Sequence, residues 1–175
     1  GPATLRRRFE ASIQGEIEHA AAGRPCGIVA KMNQLEGRRM IELLMRASSA
    51  GVPIDLLVRG FCCLHPGVVG KTENIRIRSI VGDFLEHARI FHFRDGKADP
   101  LDGQWMFGSP DWMDRNLNNR VEVVVPVHGR DNRARLKRAI DVGFLDARNA
   151  WDMQCDGSYR RAMPDAMDEP ESVAR

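Results

Sequence analysis

An alternation of amphipathic and apolar segments in the first third of the chain most constrains its fold. Residues 4–22 and residues 36–50 each carry a stripe of apolar side chains at helical spacing, which predicts two helices. Residues 27–33 and 53–59 are short and apolar, which predicts two buried strands. Strands joined through a helix are typical of a βαβ crossover, so we expect a partly parallel sheet.

The remainder of the chain extends this sheet. Further strands are predicted at residues 75–80, 88–93, 104–107 and 120–127, and a third long helix at residues 131–150. Short helical turns are predicted at residues 82–86 and 111–117, with Asp111 as the N-cap of the second. The expected fold is a single α/β domain, with a mixed β-sheet of about six strands flanked by helices.

The boundaries of this domain are expected at residues 3 and 155. Gly1 and Pro2 resemble the remnant of a cleaved affinity tag, which would make the chain an excised piece of a longer protein. From residue 156 onward the composition shifts to Asp, Glu, Arg and Pro with few apolar side chains. We therefore expect residues 156–175 to be a weakly ordered polar tail.

Charge, cysteine content and missing motifs narrow the classes of function. With 26 basic and 24 acidic residues, the chain does not favour nucleic acid as a partner, and any anion site must come from local clusters of cations. The four cysteines form no CxxC pair, which argues against structural zinc and disulfides and favours a cytoplasmic location. No apolar run is long enough for a transmembrane segment. Phosphate-loop and dinucleotide-binding motifs are also absent from the sequence.

Arg59 is the first candidate for anion binding. It ends the second predicted strand and precedes a loop that starts at Gly60. Ligands of α/β folds bind at the carboxyl ends of parallel strands, and a guanidinium suits an anion with several oxygens. The alternative is that Arg59 forms a surface ion pair with Asp55 or Asp83, and both interpretations remain open from the residues alone.

His87 and Arg89 would share one face of the strand at residues 88–93, because side chains alternate along a strand. His92 would then point to the opposite face. A histidine is the usual side chain for acid–base work near neutral pH. The alternative is a structural histidine at the start of a strand, with Glu86 as its neutralising partner.

A dense set of directional polar groups occupies residues 107–123, between two apolar strands. Its members are Ser109, Asp111, Arg115, Asn116, Arg120 and Glu122. The alternative is a solvated, well-capped turn, but such a turn seldom needs so many directional groups. Arg120 and Glu122 would share one face of the strand at residues 120–127.

Together these pieces resemble the HxK…GSxN signature of the phospholipase D superfamily. Arg89 stands where the signature has lysine, and Asp95 lies one position later than its usual aspartate. Four longer phrases more closely resemble the last catalytic domain of the long, phospholipase D-like bacterial polyphosphate kinases. They are GIVAKMN, IDLLVRGFCCLHPGV, ENIRIRSIVGDFLEHARIFHF and GSPDWMDRNLNNRVEVVVPV. The resemblance covers about residues 4–150 and implies a single phospholipase D-like domain.

This resemblance implies reversible transfer of the terminal phosphate of ATP to polyphosphate, in a tunnel-shaped site between two phospholipase D-like domains. It implies that His87 is catalytic and that Arg59 and His87 bind phosphates; Arg120 is the third expected phosphate-binding residue. The phosphorylated histidine and the Mg²⁺ ligands belong to upstream domains, so no metal site is expected here and the chain alone would be inactive. The expected partners are ATP or ADP, polyphosphate and those upstream domains, within a homo-oligomeric full-length enzyme.

Two other functions are compatible with parts of the pattern. One is a phospholipase D-type phosphodiesterase or nuclease, which needs two HxK motifs and would have to be assembled by a homodimer. The other is a non-enzymatic module that binds polyanions. The phrases outside the histidine motif favour the polyphosphate kinase.

Overall fold

The computed structural model of the chain describes residues 2–83 and 85–162. Helices and strands follow one another as α1 Pro2–Ala21, β1 Ile28–Met32, α2 Arg38–Ser49, β2 Ile54–Val58, β3 Ile75–Ile80, β4 Arg89–Phe93, β5 Gln104–Gly108, β6 Val124–Pro126, α3 Arg130–Leu145, β7 Ala150–Met153 and β8 Tyr159–Arg161. A 3-10 turn at Pro100–Asp102 precedes β5, and a π-helical turn at Arg115–Asn119 precedes β6.

All the described strands belong to one mixed sheet in the order β6-β5-β4-β1-β2-β3-β7-β8. Strands β1, β2 and β3 are parallel, as the alternation of helices and strands predicts. The other strands run antiparallel to their neighbours. The predicted single α/β domain is confirmed, but the sheet has eight strands instead of about six.

The two additional strands lie where the sequence analysis placed the end of a helix and the start of the tail. Helix α3 ends at Leu145, because the Asp146 carboxylate accepts hydrogen bonds from the backbone N–H groups of Arg148 and Asn149 and so forms a turn. Strand β7 then pairs with β3, and β8 pairs with β7. The prediction of a weakly ordered tail is therefore wrong up to residue 162; residues 163–175 and Gly1 lie outside the described residues.

Three smaller predictions about local structure are also corrected. Strand β6 covers only Val124–Pro126, and residues 120–123 form a loop. Residues 82, 83, 85 and 86 have no helical backbone. The helical turn after β5 starts at Arg115, so Asp111 does not cap it. The carboxylate of Asp111 instead accepts a hydrogen bond from the backbone N–H of Asn33.

Apolar side chains cover both faces of the sheet. Helices α1 and α2 pack on one face through the predicted stripes, in which Phe9, Ile13 and Leu44 are fully buried. Helix α3 packs on the other face through Ile140, with Leu136 and Phe144 partly buried beside it. This three-layer arrangement leaves the edges of the sheet open. None of the described helices is long and apolar enough to cross a bilayer.

An aromatic cluster fixes the polar segment after β5 against this core. The ring of Trp112 lies 5.6 Å from that of Phe9 and 5.5 Å from that of Phe91. The backbone carbonyl of Trp112 also accepts hydrogen bonds from the N–H groups of Glu36 and Gly37. Residues 109–119 are consequently anchored to both α1 and the start of α2, although they contain no strand.

Candidate functional site

Four chain segments meet at one edge of the sheet. The carboxyl ends of β1, β2 and β5 all lie there, because β5 is antiparallel to β4 and β4 is antiparallel to β1. The residues that precede β4 return to the same edge. They surround an open cavity of about 750 Å³. Its polar lining consists of Asn33, Gln34, Arg59, His87, Arg89, Ser109, Asp111, Arg115, Asn116, Arg120 and Glu122.

The structure brings the three predicted site residues together in this cavity. Arg59 reaches it from the end of β2, His87 from the segment before β4, and Arg120 from the loop before β6. All six polar residues singled out within residues 107–123 also line it. The density of polar groups in that segment therefore has a structural cause, because the segment forms one wall of the cavity.

Arg59 is held by the side chain of Asn33, directly after β1, and not by a carboxylate. Its Nε donates a hydrogen bond to Oδ1 of Asn33, with 3.1 Å between the two atoms. Asp55, the first alternative partner, pairs instead with Arg76. Within the described residues Arg59 forms no ion pair, and its remaining guanidinium nitrogens, Nη1 and Nη2, make no hydrogen bond there. The interpretation of Arg59 as half of a surface ion pair is not supported.

His87 is exposed at the cavity and contacts the arginine two positions later. Nη1 of Arg89 lies 2.7 Å from Nδ1 and 3.3 Å from Nε2 of the imidazole, and 2.8 Å from the carbonyl oxygen of His87. Glu86 does not pair with His87; its carboxylate lies 3.2 Å from Nζ of Lys31. The imidazole is thus open to a ligand on the side away from Arg89.

His92 lies on the opposite face of β4, as the strand pattern predicts. His92 is 4% exposed. Its ring is tilted by 33° against that of Trp105, with 4.2 Å between the ring centroids, and its Nε2 lies 2.9 Å from the carbonyl oxygen of Pro100. Burial lowers the pKa of His92 to about 4, because the charged imidazolium loses its hydration there. His92 is therefore a neutral core residue far from the cavity chemistry.

The guanidinium of Arg89 is bound to a carboxylate of the cavity wall and is not free to face a ligand. Its side chain is only 11% exposed. Its Nε and Nη2 donate to the two carboxylate oxygens of Asp111, each across 3.1 Å. This geometry is a bidentate, nearly buried ion pair. The sequence analysis noted Asp111 as a cap and as one of six polar groups, but not as the partner of Arg89. It missed Asn33, whose position directly after β1 at the ligand-binding edge was the available signal.

The cavity has an excess of positive charge. Four arginines line it against two carboxylates, those of Asp111 and Glu122. Asp111 is neutralised by Arg89, whereas the carboxylate of Glu122 accepts hydrogen bonds from Ser109 and Asn116. The remaining arginines form no ion pair among the described residues. Such a surface favours a ligand that carries several negative charges.

The same residues do not fit a magnesium site. Mg²⁺ requires free carboxylate or phosphate oxygens, and both carboxylates of the cavity are engaged by N–H or O–H donors. In the described part of the chain, no group of three or more His, Cys, Asp or Glu side chains could hold a metal ion. Any Mg²⁺ at this cavity would need ligands from outside the described residues or from the substrate.

Asp95, the counterpart of the displaced aspartate of the signature, lies at the other edge of the sheet. It follows β4, has a left-handed backbone with φ of 56°, and donates its N–H to the carboxylate of Glu16 across 2.7 Å. Burial raises the pKa of Glu16. Asp95 therefore fixes the end of β4 to α1 and takes no part in the cavity.

Comparisons with known proteins agree with this architecture. The sequence profile of the family described as polyphosphate kinase C-terminal domain 2 matches residues 1–173. The chain is 45% identical over 163 residues to a polyphosphate kinase of Thermosynechococcus vestitus, covering 93% of this chain and 22% of that protein. It is 48% identical over 172 residues to a polyphosphate kinase of Rhodopirellula baltica, covering 98% of this chain and 20% of that protein. The chain thus spans about a fifth of the length of these relatives.

Solved structures give the same result. The crystal structure of polyphosphate kinase from Porphyromonas gingivalis superposes with a TM-score of 0.88 at 32% identity, covering 95% of this chain and 25% of that one. NucT from Helicobacter pylori, with a TM-score of 0.53 at 11% identity over 80% of this chain and 91% of its own, shows a likeness of fold alone. Nuc from Salmonella typhimurium, a phospholipase D family member, gives the same TM-score and identity over 79% of this chain and 88% of its own. The chain therefore has a phospholipase D-like fold and belongs to the polyphosphate kinase C-terminal domain 2 family.

Proposed function

We propose that this domain forms the phosphate-binding half of the active site of an ATP–polyphosphate phosphotransferase. The observation that carries the proposal is the convergence of Arg59, His87 and Arg120 on one cavity, where neither arginine forms an ion pair within the described residues. ATP and polyphosphate are dense anions, and they would supply the negative charge that this surface lacks.

The chemistry that these groups can perform is positioning and charge stabilisation. A transferring phosphoryl group spreads its charge over its equatorial oxygens, so fixed donors around those oxygens lower the barrier. The two free Nη groups of Arg59 can bind two phosphate oxygens in parallel. His87 can donate a hydrogen bond, or a proton, to the oxygen on which charge develops. Arg120 would hold a neighbouring phosphate on the opposite wall.

This domain would supply only half of the reaction. The resemblance places the phosphorylated histidine and the Mg²⁺ ligands in upstream domains, and the relatives are about four to five times as long as this chain. The cavity is also open on one side, where such a domain could close it. We therefore expect the isolated chain to be inactive, and the full-length enzyme to act as a cytoplasmic homo-oligomer on ATP or ADP and polyphosphate.

A phosphodiesterase or nuclease assembled by a homodimer is less consistent with the site. A phosphodiesterase site would need the cation of the HxK motif to be free to bind the phosphodiester. Here the corresponding Arg89 is committed to Asp111 by two hydrogen bonds. The fold likeness to NucT and Nuc comes at 11% identity and carries no information on activity.

Steady-state kinetics of the full-length enzyme that contains this chain test the proposal. His87→Ala should reduce turnover about 10²–10⁴-fold with a smaller change in KM, as for loss of an acid–base group. Arg59→Ala should raise KM for ATP and lower kcat together, because the guanidinium binds the ground state and the transition state. Arg148→Ala is the matched control, since Arg148 is exposed and does not line the cavity.

Near wild-type turnover of the His87→Ala variant, with folding intact by circular dichroism, would contradict a catalytic role for His87. That result would favour the alternative that His87 is a structural histidine at the start of β4. Unchanged phosphate transfer by both variants, with polyphosphate still bound, would favour the non-enzymatic binding module.

A further inference from the structure

A continuous chain of hydrogen bonds joins Arg59 to His87 behind the cavity wall. Arg59 donates to the side chain of Asn33, and Asn33 donates from its backbone N–H (2.8 Å) and from Nδ2 (3.4 Å) to Oδ1 of Asp111. Asp111 accepts from Arg89, which in turn contacts the ring and the carbonyl oxygen of His87. The three middle residues are buried or nearly buried, so water cannot readily replace these bonds.

The chemistry of donors and acceptors restricts the orientation of the groups in this hydrogen-bond network. A guanidinium can only donate and a carboxylate can only accept. The amide of Asn33 must therefore turn its oxygen to Arg59 and its NH₂ to Asp111. Nη1 of Arg89 can only donate, and it lies nearer to Nδ1 of His87 (2.7 Å) than to Nε2 (3.3 Å), so the shorter contact favours Nδ1 as the acceptor. The proton of the neutral imidazole then resides on Nε2.

Two residues of this hydrogen-bond network, Arg89 and Asp111, both differ from the residues of the phospholipase D signature at these positions. The signature has a lysine and a neutral asparagine at the positions of Arg89 and Asp111. Here the two positions hold opposite charges, and the side chains bind each other bidentately. Side chains that neutralise each other are less available to phosphate, but a bidentate pair fixes the orientation of both planes.

We propose that Asn33, Asp111 and Arg89 are positioning residues for phosphate transfer. Arg89, oriented by Asp111, holds His87 with Nδ1 as acceptor and presents its Nε2–H to a phosphate oxygen. Asn33, oriented by the same carboxylate, fixes Nε of Arg59 so that Nη1 and Nη2 remain free for two phosphate oxygens. The assignment rests on the proposed function, but its structural content concerns His87 and Arg59 in the chain itself.

The tautomer of His87 directly tests whether Arg89 positions the imidazole. In a long-range ¹H–¹⁵N spectrum of the 175-residue chain, recorded in alkaline buffer, the signal lost in a His87→Gln variant identifies the ring. We expect one tautomer with the proton on Nε2. Arg89→Lys keeps the charge next to Asp111 but cannot reach both Asp111 and His87, so we expect a mixture of the two tautomers.

Arg78→Lys is the matched control. Arg78 forms a second bidentate pair in the same sheet, with 2.7 and 2.8 Å to the two oxygens of Asp152, but it does not line the cavity. Arg78→Lys should leave the signal of His87 unchanged, and a thermal melt verifies that both lysine variants fold. A wild-type ring protonated on Nδ1, or an Arg89→Lys ring identical to the wild type, would overturn the proposal.

The positioning of Arg59 by Asn33 is tested by calorimetric measurement of the binding of inorganic tripolyphosphate to the protein. Asn33→Ala should weaken binding about tenfold, the effect of one misplaced charge-assisted contact, without altering the tautomer of His87. Asn118→Ala is its control, because Asn118 also accepts from an arginine, Arg6, but lies outside the cavity.

The outcomes separate this inference from the proposed function. Equal affinity of the Asn33→Ala variant and the wild type would overturn the positioning of Arg59. If the wild type binds no tripolyphosphate, the proposed function is contradicted, and the spectrum of His87 still decides whether Arg89 fixes its tautomer.

Discussion

Among the described residues, carboxylates pair with several arginines outside the cavity but with only one of the four arginines that line it, Arg89. Arg76, Arg78 and Arg130 bind the carboxylates of Asp55, Asp152 and Asp99. Within the described residues, the arginines at the cavity other than Arg89 have no such partner. Exposed ion pairs add little stability, so the missing partners cost the fold little. They leave cations available where substrate charge would accumulate.

The buried imidazole of His92 should make stability depend on pH. Its pKa is about 4 in the folded chain, against an ordinary value of 6.5, so between these values the unfolded chain binds the additional proton. Stability is then fully present above pH 6.5 and is lost as the pH falls toward 4, by up to about 3 kcal/mol. Urea unfolding of the wild type and of His92→Gln across this range measures the effect.

The comparison with His92→Gln removes the contributions of other titrating groups such as Glu16, which both proteins share. The glutamine amide can still donate to the Pro100 carbonyl, so the fold should tolerate it. A difference in unfolding free energy between the two proteins that stays constant from pH 7 to about 4 would show that His92 does not resist protonation.

At the scale of elements, the close approach of β5 and β6 shapes the wall that carries Arg120. A Cβ added to Gly108 would lie 2.2 Å from the carbonyl oxygen of Val123 and 2.9 Å from Cα of Val124. Both neighbours are backbone, so they can move only if the strands separate. Gly108→Ala should therefore destabilise the chain by about 1–3 kcal/mol and displace residues 120–123.

Gly15→Ala is the control for this prediction. Gly15 lies in the interior of α1, and an added Cβ would meet no atom within 4 Å. The alanine should stabilise the chain by about 0.5–1 kcal/mol, because glycine is a poor helix former. Denaturation midpoints of the two variants should thus move in opposite directions. Equal midpoints would contradict the steric argument for Gly108.

The elements that sequence reasoning predicted correctly are those with a strong local signal. The stripes of α1 and α2 follow helical spacing over three or more turns, and Gly23 and Gly51 end them with left-handed backbones. The end of α3 and the start of β7 were missed because an Asp146 side-chain turn, and not a glycine or proline, separates them. Strand β8 was missed because its exposed polar residues carry no apolar pattern.

The candidate site could be predicted from the sequence only in part. Arg59 and His87 could be identified from their positions at strand ends and from the family phrases. The ion pair between Arg89 and Asp111 could not, since it joins residues 22 positions apart whose meeting depends on the register of β4 and β5. Asn33 becomes important only once the three-dimensional path from Arg59 to Asp111 is known.

At the scale of the whole molecule, the domain places a cavity lined by four arginines at one edge of its sheet. Each face of the sheet is covered by helices of the domain itself. Among the described residues, His87 is the one histidine that lines the cavity. We therefore expect the chain to bind phosphates weakly and to transfer none.

The most direct test of this account is an NMR titration of the 175-residue chain with tripolyphosphate. The account predicts shifts confined to the backbone amides around Arg59, His87 and Arg120, with an affinity that falls as salt is added. Arg59→Lys should abolish most of the shifts, since an ammonium cannot replace the bidentate fork, whereas Arg148→Lys should not. Shifts that lie elsewhere, or that persist in Arg59→Lys, would contradict the assignment of the cavity as a phosphate site.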